Sequence, residues 1–295
     1  MIAHQRDGES AGGSTMEFKE KFIGFIDILG FKQLVVAAER GEGLQLSEIV
    51  GLTHKLNRGN RRQYFEKYGP EMCPAASFVQ RNLDFQATQI SDCVVMSTEI
   101  SPAGGINLIS QAWSIVAELL AHGLLCRGYI TRGKIYHTAD QFIGTGYQNA
   151  LEKEKSVKAF SRHADDLGTP FVEVDAEVRE YLVKSNDRCL KEMFSRLVKD
   201  DGTVSAIFPF QAFSTKFAIN ETFDPAKQKA SNQNLRSRLQ SMKEKIAKFV
   251  DLSNHKAVTK SEHYVSALDE QLRVCDQTDE IIDALCRPFP DRMRK

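Results

Sequence analysis

The stretch FIDILGF at residues 25–31 places a single carboxylate, Asp27, inside an apolar run. An unpaired buried carboxylate costs too much free energy to be kept for packing alone, so it is neutralised, paired or bound to a metal ion. A second aspartate, Asp92, follows Ser91 in a short polar break between the runs LDFQATQI and CVVMST. If neighbouring strands bring both carboxylates to one edge of a sheet, beside Gly30, they form a site for Mg²⁺ or Mn²⁺ and a triphosphate.

Both aspartates also have a purely structural interpretation. Asp92 could be an ordinary hairpin residue, because Ser-Asp turns are common, and for Asp92 taken alone this is the simpler explanation. Asp27 could accept hydrogen bonds within a turn. The apolar residues around it make that explanation weaker, and they favour a functional carboxylate.

The elements that must position these residues follow from the apolar pattern. FIGFIDIL predicts a strand buried on both faces, FKQLVVAAER and SEIVGLTHKLNRGNRRQYFEKY predict helices, and Ser91-Asp92 predicts a hairpin. GGINLISQAWSIVAELLAHG predicts a helix, LCRGYITRGKIYH a strand followed by the short run FIGTG, NALEKEKSVKAFSRH a polar helix and FVEVD a short strand. The resulting order, βααββαββαβ, predicts an α/β fold of the α+β sandwich type, with helices against a mostly antiparallel sheet.

Three regions are expected along the chain. Residues 1–18 are Gly/Ser-rich and are expected to be a disordered tail. Residues 19–202 are expected to form the main domain. Residues 203–295 begin with the strand-like VSAIFPFQAF and continue as charged helices, which predicts a C-terminal strand and helical appendage.

Composition excludes several classes of protein. Lysine plus arginine equals aspartate plus glutamate, 39 each in 295 residues, so there is no strong field for a nucleic-acid polymer. No apolar run reaches the length of a membrane span, and the polar start MIAHQRDGESAGGST does not resemble a signal peptide. The six cysteines form no Cys-x-x-Cys pair and the histidines show no zinc-ligand spacing. We therefore expect a cytoplasmic protein with free thiols that binds neither a membrane nor a nucleic-acid polymer.

Four motifs occur in order along the chain: FIDILGF, the ISD turn, RGYITRGK and GTGYQNALEKEK. In this order and at roughly this spacing they resemble the catalytic core of the class III nucleotidyl cyclases, over about residues 20–165. The first strand has every fixed position of the family pattern, whereas Ser91 stands where the family usually has glycine. The resemblance implies a cyclase-like sheet covered by helices, and it does not extend to the C-terminal third.

The resemblance assigns roles by position. It implies that Asp27 and Asp92 bind two metal ions per site, Mn²⁺ or Mg²⁺, with the backbone carbonyl of Ile28 as a further ligand. The backbone amides of the turn that contains Gly30 and Phe31 would hold the β- and γ-phosphates.

Two of the basic residues in the strand LCRGYITRGKIYH are candidates for the substrate site. Lys134 lies where cyclases place a cation for the triphosphate, although a solvated lysine at a strand end is an equally good explanation. Arg127 opens the same strand and could contact phosphate or base. An internal salt bridge would satisfy its charge equally well.

The positions that select the base differ from those of the purine cyclases. Adenine-specific members place a lysine four residues before the second metal aspartate and an aspartate after the following strand, and guanine-specific members commonly place glutamate and cysteine there. This chain has Thr88 and Gln141. Because a hydroxyl and an amide can each donate and accept, this pair could bind O4 and N3–H of uracil or, with the amide turned, the N4 amino group and N3 of cytosine.

The residues of the transition state differ as well. The family's asparagine and arginine fall on Gln148 and Glu152, so Gln148 is expected to contact the substrate while the arginine is absent from its place. Either another cation replaces it or the domain is catalytically silent.

With these differences, the sequence resembles one branch of the family, the pyrimidine cyclases of the bacterial Pycsar antiphage system. That branch implies a uridylate cyclase that converts UTP to 3′,5′-cyclic UMP, a second messenger recognised by a separate effector protein in antiphage defence. Cytidylate cyclase activity on CTP, a silent nucleotide sensor and a ligand-free interaction domain are the alternatives. The resemblance also implies a head-to-tail homodimer with two composite active sites, in which metal ligands and base-binding residues come from different subunits.

Overall fold

The computed structural model describes residues 16–56, 83–161, 167–210 and 223–286. These residues form eight strands and eight helices. The strands are β1 Lys19–Ile28, β2 Gln86–Ile90, β3 Cys93–Glu99, β4 Cys126–His137, β5 Phe142–Ile143, β6 Val172–Val174, β7 Val198–Asp200 and β8 Ser205–Ile207. The helices are α1 Phe31–Glu39, α2 Leu46–Thr53, α3 Pro102–Ala121, α4 Thr145–Glu154, α5 Ala176–Val183, α6 Arg188–Leu197, α7 Pro225–Phe249 and α8 His255–Cys286.

The strands join into one mixed sheet. Its order is β2-β3-β1-β4-β6-β8-β7, and β5 pairs with β4 beside this path. Every pairing is antiparallel except that of β4 with β6, so the prediction of a mostly antiparallel sheet with helices is confirmed. None of the helices in the described ranges has the length and apolar character that a membrane span requires.

The central strand β1 is buried on both faces, which explains its continuous apolar sequence. Phe22 and Ile26 belong to the core that includes α3, whereas Ile23 and Phe25 pack in a second cluster with Ala150 of α4. Side chains alternate between the two faces of a strand, so Asp27 shares the face of Ile23 and Phe25. The carboxylate therefore lies on the side of the sheet that α4 covers.

The polar helix predicted over residues 149–163 is shorter and begins earlier, since α4 ends at Glu154. The apolar residues after it explain the end: Val157 and Ala159 are fully buried, and Phe160 has a left-handed φ of 57°. The Val157 carbonyl accepts hydrogen bonds from the backbone amides of residues 168 and 169 instead of continuing the helix.

The strand expected at the start of the C-terminal segment belongs to the main sheet. β8 pairs with both β6 and β7, so the expected boundary at residue 202 falls inside the β7–β8 hairpin. The sequence pattern did not predict α5, α6 or β7. The remainder of VSAIFPFQAF after residue 210, the expected tail up to residue 15, the second half of the helix expected after residue 46, and Cys73 lie outside the described residues.

The last two helices form an antiparallel pair, and their helical prediction is confirmed. The Asn232 amide donates to the Cys275 carbonyl and to the Asp279 carboxylate, each at 2.7 Å. The pair docks on the sheet domain where Lys245 Nζ donates to the carbonyl of Ala121 at 2.8 Å.

Candidate functional site

Asp27 is the penultimate residue of β1, and both neighbouring strands reach it. It lies in register with Cys93 of β3 and Arg127 of β4. The backbone amide of Ile28 donates to the carbonyl of Asp92 at 3.1 Å, which fixes the hairpin turn against the end of β1. Asp27 and Asp92, remote in sequence, are thus neighbours at one edge of the sheet.

Two turns give this edge its shape. The Ser91–Asp92 hairpin is confirmed, and Ser91 adopts a left-handed φ of 53° where a glycine would be unstrained. Gly30 has a φ of 77° and caps α1 with no side-chain hydrogen bond. The first backbone amides of α1, including that of Phe31, therefore lack a side-chain cap and can bind an anion.

The surroundings of Asp27 disfavour the charged form of its carboxyl group. Burial, followed by the negative charges of Asp92 and Glu154, raises its pKa to about 7, although Arg127 opposes the shift. Burial, followed by the charges of Asp27 and Asp92, raises the pKa of the Cys93 thiol to about 11. Three carboxylates, those of Asp27, Asp92 and Glu154, thus surround one guanidinium, and a bound cation would relieve the excess negative charge.

Arg127 forms a buried ion pair with Glu154 of α4. A Cβ at Gly168 would lie 2.5 Å from Arg127 Nη1, so the guanidinium is enclosed on that side by backbone. Of the two roles that the sequence left open for Arg127, the internal salt bridge is what the structure contains. Contact with phosphate stays a prediction.

The donor set fits hard divalent cations that share their coordination with a nucleotide. The described residues contain no group of three or more His, Cys, Asp or Glu side chains arranged to hold a metal ion. Two carboxylates and the Ile28 carbonyl offer oxygen ligands only. Mg²⁺ and Mn²⁺ prefer such ligands, and Mg²⁺ usually completes its shell with water and substrate phosphates.

Thr88 and Gln141, the expected base-binding residues, are brought close together by Thr138. Thr88 Oγ1 donates to the Thr138 carbonyl at 3.3 Å. The Thr138 amide donates to the Gln141 carbonyl at 2.9 Å, and the Gln141 amide donates to Thr138 Oγ1 at 3.3 Å. The side chain of Gln141 is exposed, so it can turn either end of its amide towards a ligand.

Thr88 and Gln141, the expected base-binding residues, are separated from the acidic edge of the same chain. Thr88 pairs with Val95, which pairs with Phe25, so Thr88 lies two strands away from β1, about 10 Å across the sheet. Lys134 lies opposite Glu20, seven residues from Asp27 and about 23 Å from it along β1.

Gln148 is exposed in the first turn of α4, where its backbone amide donates to the Gly144 carbonyl at 3.3 Å. Glu152 is exposed one turn later. Within one chain, the structure therefore brings together Asp27, Asp92, Ile28, Gly30, Phe31 and Arg127, but it does not bring Lys134 or Thr88 into contact with them.

Sequence reasoning missed two residues. Glu154 is 3% exposed and contributes to the charge around Asp27, and His137 is 8% exposed beside Thr88. Glu154 stood within the motif GTGYQNALEKEK, where a carboxylate four residues after a buried Ala150 could have been noticed. His137 gave no signal beyond ending a strand.

A cavity of about 330 Å³ adjoins the Gly30 turn. Its walls include Leu29 and Gly30 after β1, Leu125 before β4, Phe249 at the end of α7 and Lys256 at the start of α8. The C-terminal helices therefore reach the turn expected to hold the phosphates.

Neither a scan of protein-family models nor a search of curated protein sequences found a match for this chain. The functional assignment therefore depends on the geometry of the site and on the motifs themselves.

Proposed function

We propose that this protein is a pyrimidine nucleotide cyclase of the class III type, which converts UTP to 3′,5′-cyclic UMP and pyrophosphate. One observation carries the proposal: a carboxylate in an apolar strand, Asp27, faces a second one, Asp92, beside a glycine turn with uncapped amides. Arg127 and the Ile28 amide lower the pKa of Asp27, but they do not outweigh the other effects. Asp27 has a pKa raised to about 7, because burial and negative neighbours disfavour its charge.

Asp27, Asp92 and the Ile28 carbonyl would hold two Mn²⁺ or Mg²⁺ ions. When bound, these ions would lower the pKa of the ribose 3′-hydroxyl and neutralise charge on the leaving pyrophosphate. The amides at Gly30 and Phe31 would bind the β- and γ-phosphates and hold the pyrophosphate in line with the attacking oxygen. No side-chain general base is required.

The separation of the two groups within one chain supports a composite site. Because Lys134 is about 23 Å from Asp27 along β1, one nucleotide reaches both residues only if they come from different copies. In a head-to-tail homodimer, Asp27 and Asp92 of one subunit would face Thr88, Gln141 and Lys134 of the other. Two-fold symmetry makes both sites equivalent.

The base preference follows from Thr88 and Gln141, which replace the ionic and thiol side chains of purine cyclases. We propose UTP as the preferred substrate and CTP as the alternative. The product would act as a second messenger for a separate effector in antiphage defence. Glu152 at the place of the transition-state arginine supports the competing proposal, a nucleotide-binding sensor without turnover.

The deciding experiment incubates the purified protein with each of the four ribonucleoside triphosphates and Mn²⁺ and identifies the products by mass. Cyclic UMP or cyclic CMP is the expected product, and Asp92→Asn should abolish it. Asp276→Asn, which removes a carboxylate from the exposed surface of α8, is the matched control and should keep full activity. Efficient conversion of ATP would refute the base assignment. Nucleotide binding without turnover would favour the sensor.

A mixing experiment tests the composite site. Asp27→Ala and Gln141→Leu proteins, each inactive, are mixed and allowed to exchange subunits. Half of the dimers would be mixed, and each of those would carry one intact site, so about a quarter of the wild-type activity should return. A mixture that stays inactive after demonstrated exchange would show that one chain supplies both groups.

A further inference from the structure

A chain of hydrogen bonds links the buried interior of the sheet to Thr88. The hydroxyl of Ser97, on β3, lies 2.8 Å from Nδ1 of His137, at the end of β4. The other ring nitrogen, Nε2, lies 3.1 Å from Thr88 Oγ1 on β2. Thr88 Oγ1 in turn lies 3.3 Å from the Thr138 carbonyl and 3.4 Å from that of Ala139.

The imidazole in this chain is neutral at physiological pH. Burial, and then the positive charge of Lys21, lower the pKa of His137 to about 4. The Phe142 ring packs edge-on against it, with ring centroids 5.6 Å apart. A neutral imidazole carries one N–H, so one ring nitrogen donates and the other accepts.

Two arrangements of protons are possible. If Nδ1 carries the hydrogen, Ser97 must accept it, and the Ser97 hydroxyl hydrogen is left without a described acceptor although the side chain is fully buried. If Nε2 carries the hydrogen, Ser97 donates to Nδ1, His137 donates to Thr88, and Thr88 donates to a loop carbonyl. The second arrangement satisfies every donor, and an unsatisfied buried donor is costly.

We propose that His137 is a positioning residue that fixes the direction of the Thr88 hydroxyl, so that Thr88 offers the base a hydrogen-bond acceptor and no donor. This inference rests on the proposed function, and it states how the base-binding position operates. The base must then present a donor to Thr88, as N3–H of uracil does, whereas N3 of cytosine at that position is an acceptor. The Gln141 amide would donate to the adjacent O4 of uracil.

Substrate analogues test the direction of this hydrogen bond in the unaltered protein. N3-methyl-UTP lacks the donor, so its KM should exceed that of UTP by tenfold or more, since it cannot form the hydrogen bond to Thr88. 4-Thio-UTP keeps the N3–H donor, so its KM should rise less than that of N3-methyl-UTP. Equal use of N3-methyl-UTP and UTP would overturn the assignment of Thr88 as an acceptor.

Variants test the positioning role. Thr88→Val removes the oxygen at nearly constant shape and should raise the KM for UTP about ten- to a hundredfold with a smaller effect on kcat. His137→Leu should also raise KM and should bring the UTP-to-CTP preference towards unity, because the freed hydroxyl can rotate. His137→Gln, whose amide can still donate to Thr88, should restore most of the preference. A His137→Leu protein that folds and keeps the wild-type preference would overturn the inference.

A measurement that needs no turnover separates this inference from the proposed function. Long-range ¹H–¹⁵N spectra of the histidine rings report which nitrogen carries the hydrogen. We expect the Nε2–H form for His137, assigned by comparison with the His137→Gln protein. The Nδ1–H form would overturn the proposed direction of the chain, whether or not the protein is a cyclase. Absence of turnover with a confirmed Nε2–H form would instead refute the proposed function alone.

Discussion

Replacing Asp27 with asparagine should stabilise the metal-free protein at pH 8 while abolishing turnover. The two effects have one cause. The folded protein gathers negative charge around a partly buried carboxylate, and this arrangement is useful only when a cation occupies the site. Asparagine keeps the shape of the side chain and removes its charge.

The magnitude follows from linkage. The pKa of Asp27 is about 7 in the folded protein, against 3.8 for an aspartate in its ordinary, solvated state. A raised folded-state pKa means that the carboxyl contributes no penalty below about pH 4, and that stability is lost as pH rises towards 7. The full difference corresponds to roughly 4 kcal/mol. Because the carboxyl is only partly buried, solvent screening reduces this, and we expect about 2 kcal/mol.

The assay is urea unfolding of both proteins at pH 4.5 and pH 8 in the presence of a chelator. The difference in unfolding free energy between the two proteins should be small at pH 4.5. At pH 8 the variant should be more stable by about 2 kcal/mol. Adding Mn²⁺ at pH 8 should raise the stability of the wild-type protein, since a ligand stabilises the state that binds it.

Asp175→Asn is a control for which we expect the opposite change in stability. Burial alone would raise the pKa of Asp175, but hydrogen bonds from Lys153 Nζ and the Glu177 amide lower it below its usual value. Its removal should therefore destabilise the protein at pH 8. If Asp27→Asn also lowered stability at pH 8, or if its effect were the same at both pH values, Asp27 would have a stabilising partner and the argument for a cation site would fail.

Three further predictions concern the packing around the site. Burial holds the pKa of His137 at about 4, so the stability of the wild-type protein relative to His137→Gln, measured by urea titration of both proteins, should fall by about 2 kcal/mol between pH 6.5 and pH 5. Glu154→Gln leaves the Arg127 guanidinium buried without its partner and should cost about 3–5 kcal/mol in equilibrium unfolding, most of which the double variant with Arg127→Met should recover. Gly123→Ala would place a Cβ 2.5 Å from the backbone of Lys245 at a φ of +85°, so limited proteolysis should release the C-terminal helices faster than in the wild type.

Local patterns predicted the acidic edge of the site because its residues lie in strongly patterned segments. Asp27 interrupts a strand that is buried on both faces, and the polar pair Ser91-Asp92 separates two apolar runs, so β1 and the hairpin were predictable. The strand that carries Arg127 was predictable for the same reason. The ion pair of Arg127 with Glu154 was not predictable, because it depends on where α4 ends and how α4 packs on the sheet.

Short elements and buried polar contacts could not be predicted from the sequence. β7 has three residues, too few to show alternation, and the strand-like run that contains β8 gave no sign that β8 pairs with β6, which is distant in sequence. His137 looks like any residue at a strand end, since its two partners, Ser97 and Thr88, come from other strands. These contacts are set by register across the sheet, which a single sequence does not specify.

The surface beside the acidic edge is consistent with a second copy completing the site. Ile90 is 51% exposed and lies in register with Cys93, which in turn lies in register with Asp27, so all three share one face. Ile143 is 59% exposed and pairs with Tyr136, which lies beyond Lys134 at the opposite end of β4 from Arg127. In the proposed head-to-tail dimer, a second copy would cover Ile90 beside the acidic edge and Ile143 beyond Lys134. Under the proposed function, the contact that buries these side chains would also bring Thr88 of the partner to the nucleotide, so the apolar surface and the distance between the acidic and base-binding residues have the same explanation.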